Sequence, residues 1–167
     1  LSGFPYRALG GDNRPSPKTL YAGSGGPGSV FVSVNGGLNW NRVLQVPQTP
    51  ESPEDPNTCH PWPGPHCVLA IAVDPASPSN VYVGTSAGLY KSADRGTTWT
   101  AFNSGLNTVA PTVHALLFDS GSLYAGMVDG LYKVTAGATS WTHLSLRNQV
   151  HTIAAEPTTH PRYTASP

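Results

Sequence analysis

Length, composition and charge restrict the classes of protein that this chain can represent. The chain has 167 residues and a formal net charge of zero, and charged residues make up only 11% of it, well below the usual quarter. Nothing in this composition suggests electrostatic binding to nucleic acid or anionic lipid, so no nucleic-acid partner is expected. No apolar run reaches the roughly 18 residues of a membrane helix, so we expect no transmembrane segment.

Four copies of one sequence unit follow each other along the chain. Each copy opens with a short first strand of small and aliphatic residues that ends in an acid, and the acids are Asp12, Asp74, Asp119 and Glu156. The second strand of each copy carries a tyrosine, at Tyr21, Tyr82, Tyr124 and Tyr163. Val, Leu and Tyr between flanking Gly, Pro, Asn and Asp are typical of β-strands. The first strands are nearly continuous in apolar residues, which predicts strands buried on both faces.

The third and fourth strands of the unit are marked by two aromatic residues at a fixed spacing. Phe31, Tyr90 and Tyr132 each stand nine positions before a tryptophan, and these tryptophans are Trp40, Trp99 and Trp141. The second-strand tyrosines are 61, 42 and 39 residues apart, and the last two spacings are typical of a four-stranded blade of about 40 residues. We therefore predict an all-β chain built as an arc of four-stranded antiparallel propeller blades.

The repeat also predicts how the chain is divided. We assign complete blades to residues 1–45, 66–106 and 107–146, a half blade to residues 147–167, and a Pro-rich insertion to residues 46–67. Three and a half blades cannot close a ring, which needs at least four. The arc is therefore expected to be incomplete: it belongs to a longer chain, assembles with other chains through its open blade ends, or is held in a larger complex. Leu1 and the absence of a visible signal peptide favour a mature or cut product.

The segment between the third and fourth strands resembles a known motif. The middle copy has Ser92, Asp94, Gly96, Thr98 and Trp99 in the pattern Ser/Thr-x-Asp-x-Gly-x-Thr-Trp. The first copy keeps Ser33, Asn35, Gly37 and Trp40, with Asn in place of Asp and of Thr. The third copy keeps little beyond Trp141. These residues resemble the Asp-box (BNR) family.

That resemblance implies a β-propeller, as in sialidases, xyloglucan-active glycoside hydrolases, sortilin-type receptors and a photosystem assembly factor. We expect a structural role for the box: Asp94 or Asn35 accepts backbone N–H bonds across a tight turn. Gly96 and Gly37 take a positive φ, and the tryptophan covers the gap to the neighbouring blade. By the same resemblance the boxes mark one face of the propeller, and the opposite face is the expected binding face.

The insertion between the first two blades carries most of the unusual chemistry. It contains Cys59 and Cys67, with His60 and His66 beside them and Trp62 near the tip. In an oxidising compartment the cysteines would form a disulfide; a Cys/His metal site and free thiols are the alternatives. The spacing fits no familiar zinc pattern, so no metal site is predicted. Trp62 either anchors a glycan or protein partner or packs on the blade beneath it, and His60 and His66 are possible binding residues.

Catalytic patterns are otherwise scarce. The recurring acids are expected to form turns, Asp129 is expected in a hairpin, and a glycosidase pair such as Glu54 and Asp129 stays open. His114 and His151 occupy equivalent positions and are expected to pack or to hydrogen-bond at a strand end.

The sequence thus favours a non-catalytic scaffold or binding module that is extracellular, at the cell surface or periplasmic. It would have no cofactor, and a protein or glycan partner would bind opposite the boxes. The alternatives are a fragment of a carbohydrate-active glycoside hydrolase, sialidase-like or xyloglucan-active, and an assembly factor for a membrane complex.

Overall fold

A computed structural model of the chain describes residues 6–12, 18–25, 28–47, 66–109, 111–144, 148–155 and 163–166. The regular secondary structure of these residues is entirely β. Each of the first three blades is a four-stranded antiparallel sheet whose strands lie in chain order, and the last two strands form a separate pair. The all-β arc of four-stranded blades predicted from the repeat is thereby confirmed.

The strand bounds are as follows. The first blade contains β1 (Tyr6–Gly11), β2 (Leu20–Ser24), β3 (Ser29–Ser33) and β4 (Asn41–Gln45). The second contains β5 (Val68–Val73), β6 (Val81–Thr85), β7 (Gly88–Ser92) and β8 (Thr100–Ala101). The third contains β9 (Val113–Asp119), β10 (Ser122–Met127), β11 (Gly130–Thr135) and β12 (Thr142–Leu144). The final pair is β13 (Thr152–Ala155) and β14 (Tyr163–Ser166).

Successive blades are packed through their first strands. Strand β1 lies beside β5, β5 beside β9, and β9 beside β13, so the first strands form the inner edge of the arc. A recurring glycine permits this approach. A Cβ on Gly23 would lie 2.2 Å from a methyl of Val68, and one on Gly84 would lie 2.7 Å from a methyl of Val113. The glycine two residues after the second-strand Tyr in these two blades therefore leaves space for the first strand of the next blade.

The burial of the strands corrects one expectation. The first strands were expected to be buried on both faces, but β5 and β9 are mostly half-buried and β1 is largely exposed. The fully buried strands are the second ones, β6 and β10. The reason is position: a first strand lies at the edge of its sheet and has one side toward the open axis of the arc, whereas a second strand has hydrogen-bonded neighbours on both sides.

The apolar core lies between blades. One cluster joins the first two blades and includes Tyr21, Val30, Val68 and Val83. A second joins the second and third blades around Tyr82, Leu89, Val113, Leu123 and Trp141. Each blade is therefore stabilised mainly by burying its faces against its neighbours, as expected for a repeat protein. No helix of the described residues is long and apolar enough to cross a membrane.

Candidate functional site

The first two box turns share one hydrogen-bond pattern. In the second blade, the Ser92 hydroxyl donates to Asp94 Oδ1 at 2.8 Å and accepts the Gly96 N–H at 2.8 Å. In the first blade, Ser33 and Asn35 make the same contacts, with Gly37 as the backbone donor. The turn is only a few residues long, so a serine hydroxyl can reach both the Asx side chain and the glycine N–H. These local hydrogen bonds close the turn.

The tryptophans of these two boxes fold back over their own turns. Trp40 Nε1 donates to the Gly37 carbonyl at 2.9 Å, and Trp99 Nε1 donates to the Gly96 carbonyl at 3.0 Å. Both glycines have positive φ angles, 98° for Gly37 and 91° for Gly96, a conformation that a side chain would strain. Both indoles are half-buried. Each glycine thus supplies the bend and also the carbonyl that fixes the indole.

The Asp94 carboxylate is fully committed to its turn. Oδ1 accepts the Thr98 N–H at 2.8 Å, and Oδ2 accepts the Thr98 hydroxyl at 2.6 Å. Hydrogen bonds from the Thr98 side chain and backbone, followed by the Ser92 hydroxyl, lower the pKa of Asp94 to about 2. A carboxylate with so low a pKa stays ionised at neutral pH and is a poor proton carrier.

The third copy replaces this turn with a different arrangement. Ser92, Asp94 and Gly96 of the second box are replaced by Val134, Ala136 and Ala138. The side chains that form the hydrogen bonds of the box turn are therefore absent. Trp141 Nε1 instead donates to the Phe102 carbonyl of the second blade at 2.9 Å, and the indole is only 4% exposed. The third tryptophan therefore ties two blades together rather than covering its own turn.

The box turns identify one face of the arc. In the first two blades a box residue donates its N–H to the turn between the first and second strands, from Gly36 to Lys18 and from Arg95 to Ser79. In the third blade the donor is Ala136, and the acceptor is Gly121. Counted from the tryptophan, this donor lies one residue earlier than in the other copies, so the loss of the motif also shifts the turn.

A polar cluster lies on the opposite face, around the turn between β10 and β11. Asp129 Oδ2 accepts the Asn107 side-chain N–H and the Tyr132 hydroxyl, both at 2.8 Å. Within the part of the chain that the structure describes, the buried Oδ1 atom of Asp129 has no partner. His143 Nε2 lies 3.2 Å from the Asp129 carbonyl oxygen, and its ring centroid lies 4.6 Å from that of Tyr132.

The electrostatics of this cluster keep its phenol protonated. Burial, followed by the hydrogen bond and the charge of Asp129, raises the pKa of Tyr132 to about 12. Tyr132 is therefore a hydrogen-bond donor at neutral pH and not a base. Since Asn107 belongs to the connection between the second and third blades, Asp129 holds that connection against the third blade.

Two histidines from neighbouring blades meet at the inner edge. The ring centroids of His114 and His151 are 4.5 Å apart with an interplanar angle of 53°. His114 Nε2 is buried and has no hydrogen-bond partner among the described residues. Burial, and secondarily the charge of His151, lowers the pKa of His114. The pair is in ring contact, in keeping with the expected packing role.

The insertion is described only at its ends. Cys59, His60, Trp62 and Glu54 lie outside the described residues, so the disulfide pairing and the roles of Trp62 and His60 stay predictions. No free thiol is found among the described residues. His66 is buried, burial lowers its pKa, and its carbonyl accepts the Gly28 N–H at 2.6 Å. Its side chain is therefore not presented to solvent. The described residues contain no group of three or more metal-ligating side chains.

Sequence reasoning missed two features of the described residues. It placed Asp129 in a hairpin but did not predict its two side-chain contacts. Asn107 lies 22 positions before Asp129 in the sequence, and Tyr132 lies three positions after it. It also did not foresee the new position of Trp141. The signal for the second feature was present, because a tryptophan that remains after its motif has gone must find another packing partner.

The comparisons with known proteins agree with this geometry. No family model matches the chain, and no curated protein matches it. Among solved structures, a GH74 enzyme of Niastella koreensis superimposes with a TM-score of 0.66 at 24% identity, over 90% of this chain and 24% of that one. The GH74 xyloglucanase of Xanthomonas campestris gives a TM-score of 0.62 at 20% identity, over 89% of this chain and 25% of that one.

A third structure, YCF48 bound to a D1 peptide, gives a TM-score of 0.64 at 11% identity, over 97% of this chain and 48% of that one. The chain has a β-propeller fold. It spans about a quarter of each GH74 chain and about half of the YCF48 chain. At these identities the likeness is one of fold.

Proposed function

We propose that this chain is a non-catalytic propeller module that binds a protein partner on the face opposite the box turns. The observation that carries the proposal is that three of the described carboxylates, those of Asp12, Asp74 and Asp94, are held by hydrogen bonds in turns. Asp94 is held by Ser92 and Thr98, and Asp12 accepts the Thr19 N–H at 3.2 Å. Asp74 accepts three hydrogen bonds within its own turn, from Ala76, Ser77 and Asn80. Groups held in this way shape turns and do not transfer protons.

The opposite face offers features suited to recognition. The connection between the second and third blades carries Val109, whose side chain is 92% exposed, and Asn107, which is fixed by Asp129. An apolar side chain on a loop with a fixed base can enter a partner's surface without a large ordering cost. The YCF48 structure, a propeller of similar fold, has a peptide bound. A glycan is the alternative partner on this face.

We further propose the predicted Asp-box origin and blade division, the Cys59–Cys67 disulfide, and an extracellular, cell-surface or periplasmic location. Self-association through the open end of the arc is part of the same proposal. On the first strand, Leu9 is 72% exposed, and Tyr6 is exposed beside it. The counterpart of Leu9 in the second blade is Ile71, which packs against Gly10 of the first blade. The described residues do not cover Leu9 in this way, and an exposed apolar residue of this kind favours association.

A glycoside hydrolase fragment is the second candidate function, and one observation favours it. Asp129 is on the expected binding face, and its Oδ1 atom has no partner among the described residues. One carboxylate is half of the pair that glycoside hydrolysis needs. Glu54, the predicted second member, lies outside the described residues.

A hydrolysis screen separates the two functions. Release of reducing sugar would be measured with xyloglucan, mixed-linkage glucan and sialosides, for the chain and for Asp129→Asn. Asp94→Asn is the matched control, because it changes a carboxylate on the box face. We expect no hydrolysis by any of the three proteins. Hydrolysis that disappears in Asp129→Asn but persists in Asp94→Asn would overturn the non-catalytic assignment.

A further inference from the structure

A cavity of about 320 Å³ opens on the box face between the second and third blades. Its second-blade wall includes Asp74, Tyr82 and Phe102, and its third-blade wall includes Phe118 and the turn that replaces the box, residues 134–138. We call this space the interblade cavity. Its volume is at the lower end of the range for small-molecule sites, about 300–1,000 Å³.

The corresponding boundary between the first and second blades is closed by the intact box. The Tyr21 hydroxyl donates to the Arg95 carbonyl of the second box at 3.1 Å, and Tyr21 is only 1% exposed. Gly96 of the same box lies against the Tyr21 ring, and a Cβ at this position would lie 3.5 Å from the nearest ring atom. The box turn therefore fills the space and supplies the acceptor for the tyrosine hydroxyl.

Tyr82 is the counterpart of Tyr21 one blade later. Its hydroxyl has no acceptor that corresponds to the Arg95 carbonyl among the described residues. The third-blade turn shifts by one residue, and no hydrogen bond joins the Tyr82 hydroxyl to any part of the chain that the structure describes. Tyr82 is only 8% exposed and lines the cavity. The buried side-chain atoms that lack a partner among the described residues do not include this hydroxyl, so it is open to the cavity, where an acceptor brought in by a ligand would meet it.

The other walls limit which ligand can supply that acceptor. The Tyr82 ring contacts Phe118 at 5.5 Å and Phe102 at 6.1 Å between centroids, which makes one side apolar. Lys91 Nζ lies 5.5 Å from the Tyr82 ring and 5.3 Å from the Phe102 ring. Asp74 lies at the rim, and its charge adds to burial in raising the pKa of Tyr82.

Charges of both signs line the cavity, so a singly charged ligand would be repelled by at least one of them. A cation would meet the Lys91 ammonium, and an anion would meet the carboxylates of Asp74 and Asp119, which also line the cavity. A ligand with several neutral hydroxyl groups can accept from Tyr82 and Lys91 and donate to a carboxylate at the same time. Its apolar C–H face would lie against the aromatic side.

We propose that the interblade cavity is a binding site for a neutral saccharide unit, opened by the loss of the box motif in the third blade. The Tyr82 hydroxyl donates to a sugar oxygen in the place where the Tyr21 hydroxyl donates to the box carbonyl. This site is on the box face and is independent of the partner surface proposed above.

Ligand-observed NMR with saturation transfer tests this site on the whole chain. The probes are glucose, xylose, galactose, cellobiose and maltose, with acetate and methylammonium as charged controls. We expect at least one neutral sugar to bind, in the millimolar range, and Tyr82→Phe to weaken it about fivefold, the effect of one neutral hydrogen bond. Ala136→Leu, which fills the cavity from the third-blade turn, should abolish binding.

Tyr21→Phe is the matched control, because it removes the same hydroxyl at the closed boundary and should leave the sugar affinity unchanged. The proposal is overturned if no neutral sugar binds up to its solubility limit, if acetate or methylammonium binds more tightly than every sugar, or if Tyr82→Phe and Ala136→Leu leave the affinity unchanged. None of these results would bear on the protein-binding face, which uses other residues.

Discussion

The second and third blades have the same strands and the same tryptophan position but differ in the turn before that tryptophan. In the second blade Ser92, Asp94 and Gly96 close the turn with their own hydrogen bonds, and the turn seals the boundary with the first blade. In the third blade Val134 and Ala138 cannot form these bonds, and a cavity remains. A few side chains in one turn thus decide whether two blades close on each other.

The comparison also separates two roles for one aromatic residue. Trp99 is half-buried and bonded to its own turn, whereas Trp141 is buried and bonded to the preceding blade. Phe102 packs beside Trp141 at 5.9 Å between ring centroids. Where the motif is missing, the tryptophan therefore anchors its blade to the preceding one and does not cover its own turn.

The largest expected effect is on this anchor. Trp141→Ala should lower the free energy of unfolding by about 3–5 kcal/mol, the usual range for truncating a buried aromatic side chain. Trp99→Ala should have a smaller effect, because its indole is only half-buried. Urea unfolding of the two variants measures both values. A larger loss for Trp99→Ala than for Trp141→Ala would show that the intact box, and not the redirected indole, is the stronger element.

The next effect concerns the close approach of blades. Gly84→Ala should destabilise the chain by about 1–3 kcal/mol, as overpacking does, because the new methyl would lie 2.7 Å from a methyl of Val113. A double-mutant cycle with Val113→Ala checks the cause, since removing the valine methyls should relieve part of the clash. Simple additivity of the two unfolding free energies would argue against this contact.

A pH effect is expected at the histidine contact of the inner edge. The pKa of His114 is lowered in the folded chain, mainly by burial, so below about pH 6.5 the unfolded chain takes up more protons than the folded one. Stability is therefore complete above about pH 6.5 and falls as the pH drops toward the lowered pKa. His66 contributes in the same direction. Thermal unfolding between pH 8 and 5 should show a smaller decline for His114→Gln, and an unchanged decline would remove His114 as its source.

Much of the fold could be read from the sequence, because one pattern is repeated. In the first three copies the second-strand tyrosine, the glycine two residues later and the distant tryptophan recur in the same order, and they indicate strand order and blade spacing without any long-range information. The inner strands were misjudged because apolar composition alone does not distinguish a strand at the axis from one in the middle of a blade.

The candidate site was less accessible to sequence reasoning. The contact between Asn107 and Asp129 depends on how a connection folds back, which no local pattern encodes. The interblade cavity depends on a missing acceptor, and only the pairing of Tyr21 with Arg95 shows where that acceptor should be.

The stability of two conservative variants tests the contrast between closed and open boundaries most directly. Tyr21→Phe removes a hydroxyl that donates to the Arg95 carbonyl, so it should lower the free energy of unfolding by about 0.5–1.5 kcal/mol. Tyr82→Phe removes a hydroxyl that has no such acceptor among the described residues and is open to the cavity, so it should leave the free energy of unfolding nearly unchanged. Urea unfolding of both variants under one condition measures the difference. Equal destabilisation by the two substitutions would contradict the claim that the box motif closes one boundary and that its loss opens the other.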